Sequence, residues 1–151
     1  RLKKLISGLT SRYDYILIDC PPSLGLLTLN GMLAAKDGVI IPVQTEYLAL
    51  EGLSQLTQTL ARVRQNLFPE LAIRGVLLTM FDGRTLHGRE VMQRLVEAWG
   101  DTVFHTVIRR TVKFSDSTVA GEPITTYASS STGAEAYRQL AKEVLARCLD
   151  G

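Results

Sequence analysis

The chain has 151 residues, of which 46% are hydrophobic and 21% are charged, and its formal net charge is +2. This composition is that of a globular domain and excludes an intrinsically disordered chain. A net charge this small also excludes nucleic-acid binding through the overall field of the protein, so any such contact must come from a local patch. The length predicts a single domain over residues 1–151.

Targeting and cross-linking signals are not evident in the sequence. No apolar run reaches the length of a membrane span, and the basic residues at the start do not lead into a signal peptide. Cys20 and Cys148 lie far apart in a composition unlike that of small secreted proteins, so we expect no disulfide between them. These features predict a soluble cytoplasmic protein.

Four short apolar runs alternate with segments of helical periodicity. This alternation is typical of an α/β fold with a mostly parallel sheet and flanking helices. Strands as uniformly apolar as these are normally buried on both faces. The predicted strands are Tyr15–Ile18, Gly38–Val43, Gly75–Met80 and Val103–Ile108.

Apolar residues at helical spacing predict three helices that each pack one face on the core. A capping box, Thr132 followed by Glu135, precedes the last of them. Such stripes are core faces in most proteins and indicate no function. The stripes are Leu53, Leu56, Leu60, Val63 and Leu67; Val91, Met92, Leu95, Val96 and Trp99; and Tyr137, Leu140, Ala141, Val144, Leu145 and Cys148.

Asp19 directly follows the first apolar run, and Pro21 and Pro22 then prevent the strand from continuing. In open α/β sheets ligands bind at the carboxyl ends of the strands, so this carboxylate stands at a possible nucleotide site. Many strands end in Asp simply to start a turn. On this pattern alone Asp19 is therefore either a Walker B carboxylate or the first residue of a turn.

The longer string around Asp19 resembles the Walker B and switch II segment of the ParA/Soj family of partitioning ATPases. The resemblance continues through residues 41–53, 75–85 and 131–146. It implies a P-loop NTPase-like fold of ParA/MinD type from which the N-terminal part is absent. It also implies an ATPase that forms a dimer with ATP sandwiched between the subunits. The matching string is Asp19-Cys20-Pro21-Pro22-Ser23-Leu24-Gly25-Leu26-Leu27-Thr28-Leu29-Asn30.

In such a protein Asp19 would be the catalytic carboxylate. It would hold the nucleotide's Mg²⁺ through water and help to neutralise the charge that develops as the γ-phosphate leaves. Pro21, Pro22 and Ser23 would belong to switch II and contact the nucleotide. This interpretation requires the strand before Asp19 to run parallel to its neighbours.

The phosphate-binding loop of this class is not found, since no Gly in the sequence is followed by Lys. We therefore expect the 151-residue chain alone neither to hydrolyse ATP nor to bind ATP and Mg²⁺ tightly. A truncation is favoured over a natural protein that has lost hydrolysis. In this class the Walker B strand pairs with the P-loop strand. Without the P-loop strand, the edge of residues 14–18 is expected to be exposed and to promote a non-native dimer by pairing with another chain.

The resemblance also places two segments around the adenine base. They are Thr79, Met80 and Asp82 after one strand, and Ile108, Arg109 and Arg110 after another. The second segment reads Arg109-Arg110-Thr111 where the family commonly has Pro-Arg-Asn, so a backbone contact to the base is expected there rather than a side-chain contact.

Family members bind DNA non-specifically as ATP dimers, and Arg84 and Lys113 fall on matching basic positions. The implied partners are a second copy of the chain, non-specific DNA and a ParB/Spo0J-like protein, with a cytoplasmic, nucleoid-associated location. One alternative is a MinD-like membrane-associated ATPase, although the last helix mixes basic and acidic residues and should bind membranes weakly. Another is a non-catalytic binding module. Whether the parent serves a chromosome or a plasmid stays open.

Overall fold

The computed structural model describes residues 1–23, 25–46 and 49–149 of the chain. These residues form two compact units, one made of residues 1–39 and 51–74 and the other of residues 40–50 and residue 75 onward. The single domain expected over 1–151 stays a prediction. The helices are α1 Leu2–Ile6, α2 Leu26–Ala34, α3 Ala49–Asn66, α4 Leu86–Trp99, α5 Lys113–Ala120, α6 Ile124–Tyr127 and α7 Thr132–Leu149; the strands are β1 Val39–Gln44 and β2 Ile73–Thr79.

The predicted parallel α/β sheet is confirmed around β1 and β2, which are neighbours in one sheet. The Val39 N–H donates to the Ala72 carbonyl at the start of the pair, and the Thr45 N–H donates to the Thr79 carbonyl at its end. The residue numbers of both strands increase from the first bond to the second, so the strands run in the same direction. Two further parallel bridges, Val76 with Val103 and Phe81 with Arg109, add residues 103–110 on the other side of β2.

Residues 103–110, here called the bulged segment, do not form the continuous strand that the apolar run predicts. The Phe104 N–H donates to the Val76 carbonyl, and the next bond on this side joins the Ile108 N–H to the Leu78 carbonyl. Four steps along one segment therefore oppose two along β2, and the residues between them bulge out of the ladder. Such a bulge leaves backbone N–H groups without a strand partner, and these groups need another acceptor.

Glu143 of α7 supplies that acceptor. Its carboxylate accepts from the backbone N–H of His105 at 2.8 Å and from that of Thr106 at 3.0 Å. Arg147, one turn further along α7, donates to the Glu143 carboxylate at 3.0 Å and to the carbonyls of Thr102 and Val103 at 3.0 Å each. These bonds fasten the C-terminal helix to the bulged segment.

The core of this second unit lies between the sheet and the C-terminal helix. Leu77, Phe104 and Ile108 are buried together, and Phe114 and Leu140 pack against them. Burial of such side chains is the main favourable term in folding. Gly75 permits this packing, because a Cβ at that position would overlap the ring of Phe104.

The stripes of α3 and α4 are confirmed in their centres and wrong at their margins. Leu53, Leu60 and Val63 of α3 are buried, whereas Leu67 lies one residue past the end of that helix and is 56% exposed. In the stripe predicted for α4, two residues are buried, whereas the outer members Met92 and Val96 face solvent. In α7 only Leu140 and Val144 of the described stripe residues pack against the core, and Tyr137, Ala141 and Leu145 are exposed. A stripe drawn from spacing alone is wider than the face that actually meets the core. Cys148 belongs to a stripe whose last side chains lie outside the described residues, as do Leu24, Tyr47 and Leu48 of the matched strings.

Two local predictions are corrected. Tyr15–Ile18 is not a strand, because no segment among the described residues pairs with it, and Leu17 is 89% exposed. An apolar run becomes a strand only where a neighbour can exchange backbone hydrogen bonds with it.

The N-cap of α7 is Ser131 rather than Thr132, since the Ser131 hydroxyl accepts from the Ala134 N–H at 3.2 Å. None of the described helices combines the length and apolar character needed to cross a bilayer.

Candidate functional site

The predicted base-binding segments meet where β1, β2 and the bulged segment end. This region, here called the carboxyl edge, consists of residues 44–46, 79–84 and 108–111. The Phe81 N–H donates to the Ile108 carbonyl, and the Arg110 N–H donates to the Phe81 carbonyl, both at 3.1 Å. Parallel pairing thereby brings Thr79, Met80 and Asp82 beside Ile108, Arg109 and Arg110.

Met80 has an unusual backbone conformation at this edge. Its φ of 52° makes it the only described residue other than glycine with a positive φ. Such a conformation costs a non-glycine residue on the order of 1–2 kcal/mol. The Thr45 hydroxyl, which is buried, lies 3.4 Å from the Met80 carbonyl and donates to it. The end of β2 is therefore held in a shape that its sequence does not favour locally.

Asp82 and Arg84 form a bidentate pair across the turn that follows β2. One carboxylate oxygen accepts from the Arg84 backbone N–H at 3.0 Å and from its Nε at 2.9 Å, and the other accepts from the guanidinium at 2.7 Å. Arg84 holds the pKa of the Asp82 carboxyl well below its usual range, chiefly through the side-chain hydrogen bonds. The Arg84 side chain is 90% exposed, so the pair stands at the surface.

The other two arginines of the carboxyl edge differ in their partners. The Arg110 guanidinium lies 3.5 Å from a Glu46 carboxylate oxygen. The Arg109 guanidinium lies over the ring of Phe81, 5.4 Å from its centroid, and within the described residues it has no carboxylate partner. Sequence reasoning assigned no role of their own to Glu46 and Phe81, although the rule that ligands bind at strand ends also applies to the end of β1.

Lys113, the second predicted DNA contact, is the first residue of α5 and is exposed. Its backbone N–H donates to the Thr111 hydroxyl at 3.3 Å. The structure thus places it in the same unit as the carboxyl edge, shortly after the arginine pair in the chain. No acidic side chain is paired with Lys113 among the described residues.

Asp19 and the switch II candidates lie in the other unit. Asp19, Pro21, Pro22 and Ser23 are all exposed. The Thr28 hydroxyl, in the first turn of α2, donates to the carbonyls of both Pro21 and Ser23 and so fixes the turn that follows Asp19. The segment before Asp19 has no strand partner among the described residues, so they do not show the parallel pairing that the Walker B interpretation expects. In this class that pairing is with the strand of the phosphate-binding loop, whose Gly-Lys motif the sequence does not contain.

The donor groups suit part of a Mg²⁺–ATP site. An exposed carboxylate such as Asp19 is a typical Mg²⁺ ligand when phosphates and water supply the remaining oxygens. Within the described residues no three His, Cys, Asp or Glu side chains cluster as a protein-only metal site would require. The Gly-Lys pair of a phosphate-binding loop is absent from the sequence. The exposed Asp19 carboxylate is therefore a group of the type that suits Mg²⁺, whereas the sequence contains no Gly-Lys loop for the phosphates.

Comparison with known proteins identifies the family to which these segments are similar. A family model described as an AAA domain matches residues 1–73. The chromosome-partitioning ATPase Soj of Treponema pallidum is 49% identical over 146 residues, which are 97% of this chain and 57% of that protein. The chain belongs to the ParA/Soj family.

The chain is also similar to two proteins with other printed names. An uncharacterized protein of Mycobacterium tuberculosis is 56% identical over 146 residues, 97% of this chain and 46% of that protein. The structure of cobyrinic acid a,c-diamide synthase from Mycobacterium smegmatis, with a bound ATP analog and magnesium, superposes with a TM-score of 0.78 at 38% identity, covering 95% of this chain and 52% of that chain. The chain spans about half the length of the curated relatives it matches.

Proposed function

We propose that this chain is the Walker B and base-binding portion of a chromosome- or plasmid-partitioning ATPase. The observation that carries the proposal is the carboxyl edge, where parallel pairing puts residues 79–82 beside residues 108–110. Ligands of open α/β proteins bind at this kind of edge. The similarity to a chromosome-partitioning ATPase supports ATP as the ligand.

In the intact protein that we propose, each group has a separate task. Asp19 holds Mg²⁺ through water, and that ion, when bound, neutralises charge on the phosphates. Pro21, Pro22 and Ser23 form the switch II turn, whose conformation the Thr28 hydroxyl stabilises. Residues 79–82 and 108–110 contact the base, the second segment through its backbone. The Arg109 side chain is then free for another role.

The remaining parts of the proposal concern assembly. The intact protein binds ATP as a sandwich dimer, binds nucleoid DNA non-specifically through Arg84 and Lys113, and works with a ParB/Spo0J-like partner. Phosphate neutralisation by exposed cations is sufficient for non-specific DNA binding. Because the chain has no Gly-Lys phosphate loop, we expect the 151-residue chain alone to show no ATP hydrolysis above a blank.

A chimera tests the catalytic part of the proposal. In the Treponema pallidum Soj protein the matched stretch is replaced by that of this chain, and ATP hydrolysis is measured with and without Asp19→Asn. We expect the chimera to hydrolyse ATP and the variant to lose about 100-fold in rate, the effect typical of removing one group that stabilises charge in the transition state.

Asp14→Asn is the matched control, because Asp14 is an exposed aspartate five positions earlier on the same segment. It should leave the rate unchanged. Equal rates for the Asp19 and Asp14 variants, in chimeras with the same circular dichroism spectrum, would exclude the Walker B role of Asp19.

A further inference from the structure

The three arginines of the carboxyl edge are not equally available to an external anion. Arg84 is held by Asp82 at 2.7 Å, and Arg110 has Glu46 at 3.5 Å. Arg109 has neither a hydrogen bond nor a carboxylate among the described residues, and its positive charge is uncompensated. The net positive charge of this edge is therefore located at Arg109.

The Arg109 side chain is also restrained by a contact with an aromatic ring. Its guanidinium lies 5.4 Å from the centroid of the Phe81 ring, and that ring is itself buried. A guanidinium over an aromatic face is attracted by the ring's quadrupole while its N–H donors remain directed outward. Holding the group in this way lowers the side-chain entropy that is lost when it binds a partner.

The position of Arg109 relative to the turn that carries Arg84 indicates what it binds. A Cβ built on Gly83 would lie 3.7 Å from an Arg109 guanidinium nitrogen, so Arg109 lies against the residue that precedes Arg84. A second guanidinium group therefore lies close to the turn that carries Arg84, and neighbouring cations suit the oxygens of a phosphate backbone.

We propose that Arg109 is a further DNA-contacting residue and that its side chain binds a backbone phosphate of duplex DNA. The inference rests on the proposed DNA binding of the intact protein and adds a residue to it. The side chain acts on DNA while the backbone of the same residue remains available to the base of ATP.

Arg109→Gln and Arg110→Gln form a matched pair for the test. The two variants remove the same charge from adjacent exposed residues, but only Arg110 already has a carboxylate nearby. Binding of the ATP-loaded chimera to a random-sequence duplex is measured by fluorescence anisotropy over a range of salt concentrations. One lost phosphate contact lowers the slope of log affinity against log salt by about 0.9, which corresponds to about 8-fold weaker binding at 0.1 M salt.

We expect that loss for Arg109→Gln and a clearly smaller one for Arg110→Gln. Equal losses in the two variants would overturn the role of Arg109 and leave the proposed DNA binding standing. No binding by the unsubstituted chimera would refute the proposed DNA function and this inference together. If Arg109→Gln weakens binding of Mg²⁺–ATP or inorganic phosphate and leaves DNA binding unchanged, the side chain belongs to the nucleotide site and the inference is wrong.

A second measurement observes the two arginines separately. Duplex DNA is titrated into the ATP-loaded chimera at low salt while the arginine Nε–H signals are followed by NMR. The Arg109 signal should shift more than that of Arg110, and the reverse order would overturn the inference.

Discussion

Replacing Glu143 by Gln tests the connection between the C-terminal helix and the bulged segment. The Glu143 side chain is only 17% exposed and accepts two backbone hydrogen bonds, from His105 and Thr106, as well as one from Arg147. Gln keeps one acceptor oxygen and loses the charge. The second oxygen is replaced by an NH₂ group that cannot accept from these donors.

The structure gives the size of the effect. Burial alone would raise the pKa of the Glu143 carboxyl, but the backbone hydrogen bonds from His105 and Thr106 and the bond from Arg147 outweigh it and lower the pKa from 4.5 to about 2. At about 1.36 kcal/mol per pH unit this corresponds to about 3 kcal/mol. Solvent screening reduces the figure, so we expect Glu143→Gln to lower the free energy of unfolding by about 1–3 kcal/mol at neutral pH.

The pH dependence follows from the sign of this shift. The pKa of Glu143 is lower in the folded state, so its contribution is complete above pH 4.5 and is lost as the pH falls toward about 2. The difference in unfolding free energy between the unsubstituted chain and the variant should therefore shrink over that range.

Urea unfolding of the 151-residue chain, followed by circular dichroism at several pH values, measures both quantities. Glu135→Gln is the control, because Glu135 lies on the same helix, is exposed and bonds only to Arg138 and Gln139 of that helix. A loss from Glu135→Gln as large as that from Glu143→Gln would refute the reasoning, as would a difference that stays constant to the lowest pH.

Two further predictions concern the core and the carboxyl edge. Gly75→Ala should lower the free energy of unfolding by about 1–3 kcal/mol, because the new Cβ overlaps the ring of Phe104. Gly52→Ala lies in a helix with no atom near the new Cβ and should raise the free energy of unfolding by about 0.5–1 kcal/mol. A loss of stability in both variants, measured by urea unfolding, would contradict the packing argument. Asp82→Asn should raise the DNA affinity of the chimera, since it removes the charge that competes for Arg84 and keeps an acceptor for the Arg84 backbone. Unchanged anisotropy titrations would show that the pair does not restrain Arg84.

The parts of the fold that depend on local pattern were predictable from the sequence. β2 is a short, continuous apolar run that is buried on both faces, and the sequence places it within two residues of its observed limits. The parallel pairing of its end with residues 108–110 also follows from the alternation of strands and helices. That is why the base-binding candidates come together as expected.

The remaining features depend on contacts between distant residues, which spacing cannot reveal. Tyr15–Ile18 has the composition of a strand, but composition does not say whether a neighbouring strand exists. The bulge in residues 103–110 depends on a carboxylate 38 positions away, at Glu143. The pairing of Arg84 with Asp82, two residues earlier, depends on the turn geometry, so a basic residue that looks available in the sequence is partly neutralised in the structure.

The positive φ of Met80 decides which side chain Arg109 meets. In an uninterrupted ladder the partner of the Ile108 carbonyl, two residues after Leu78, would be the Met80 N–H; instead it is that of Phe81. Because side chains alternate between faces, removing this extra residue would turn Phe81 to the opposite side of the sheet. The backbone conformation of Met80 thus sets the face of the sheet on which the Phe81 side chain lies. Substitutions at position 80 would therefore alter the environment of Arg109 without contacting it.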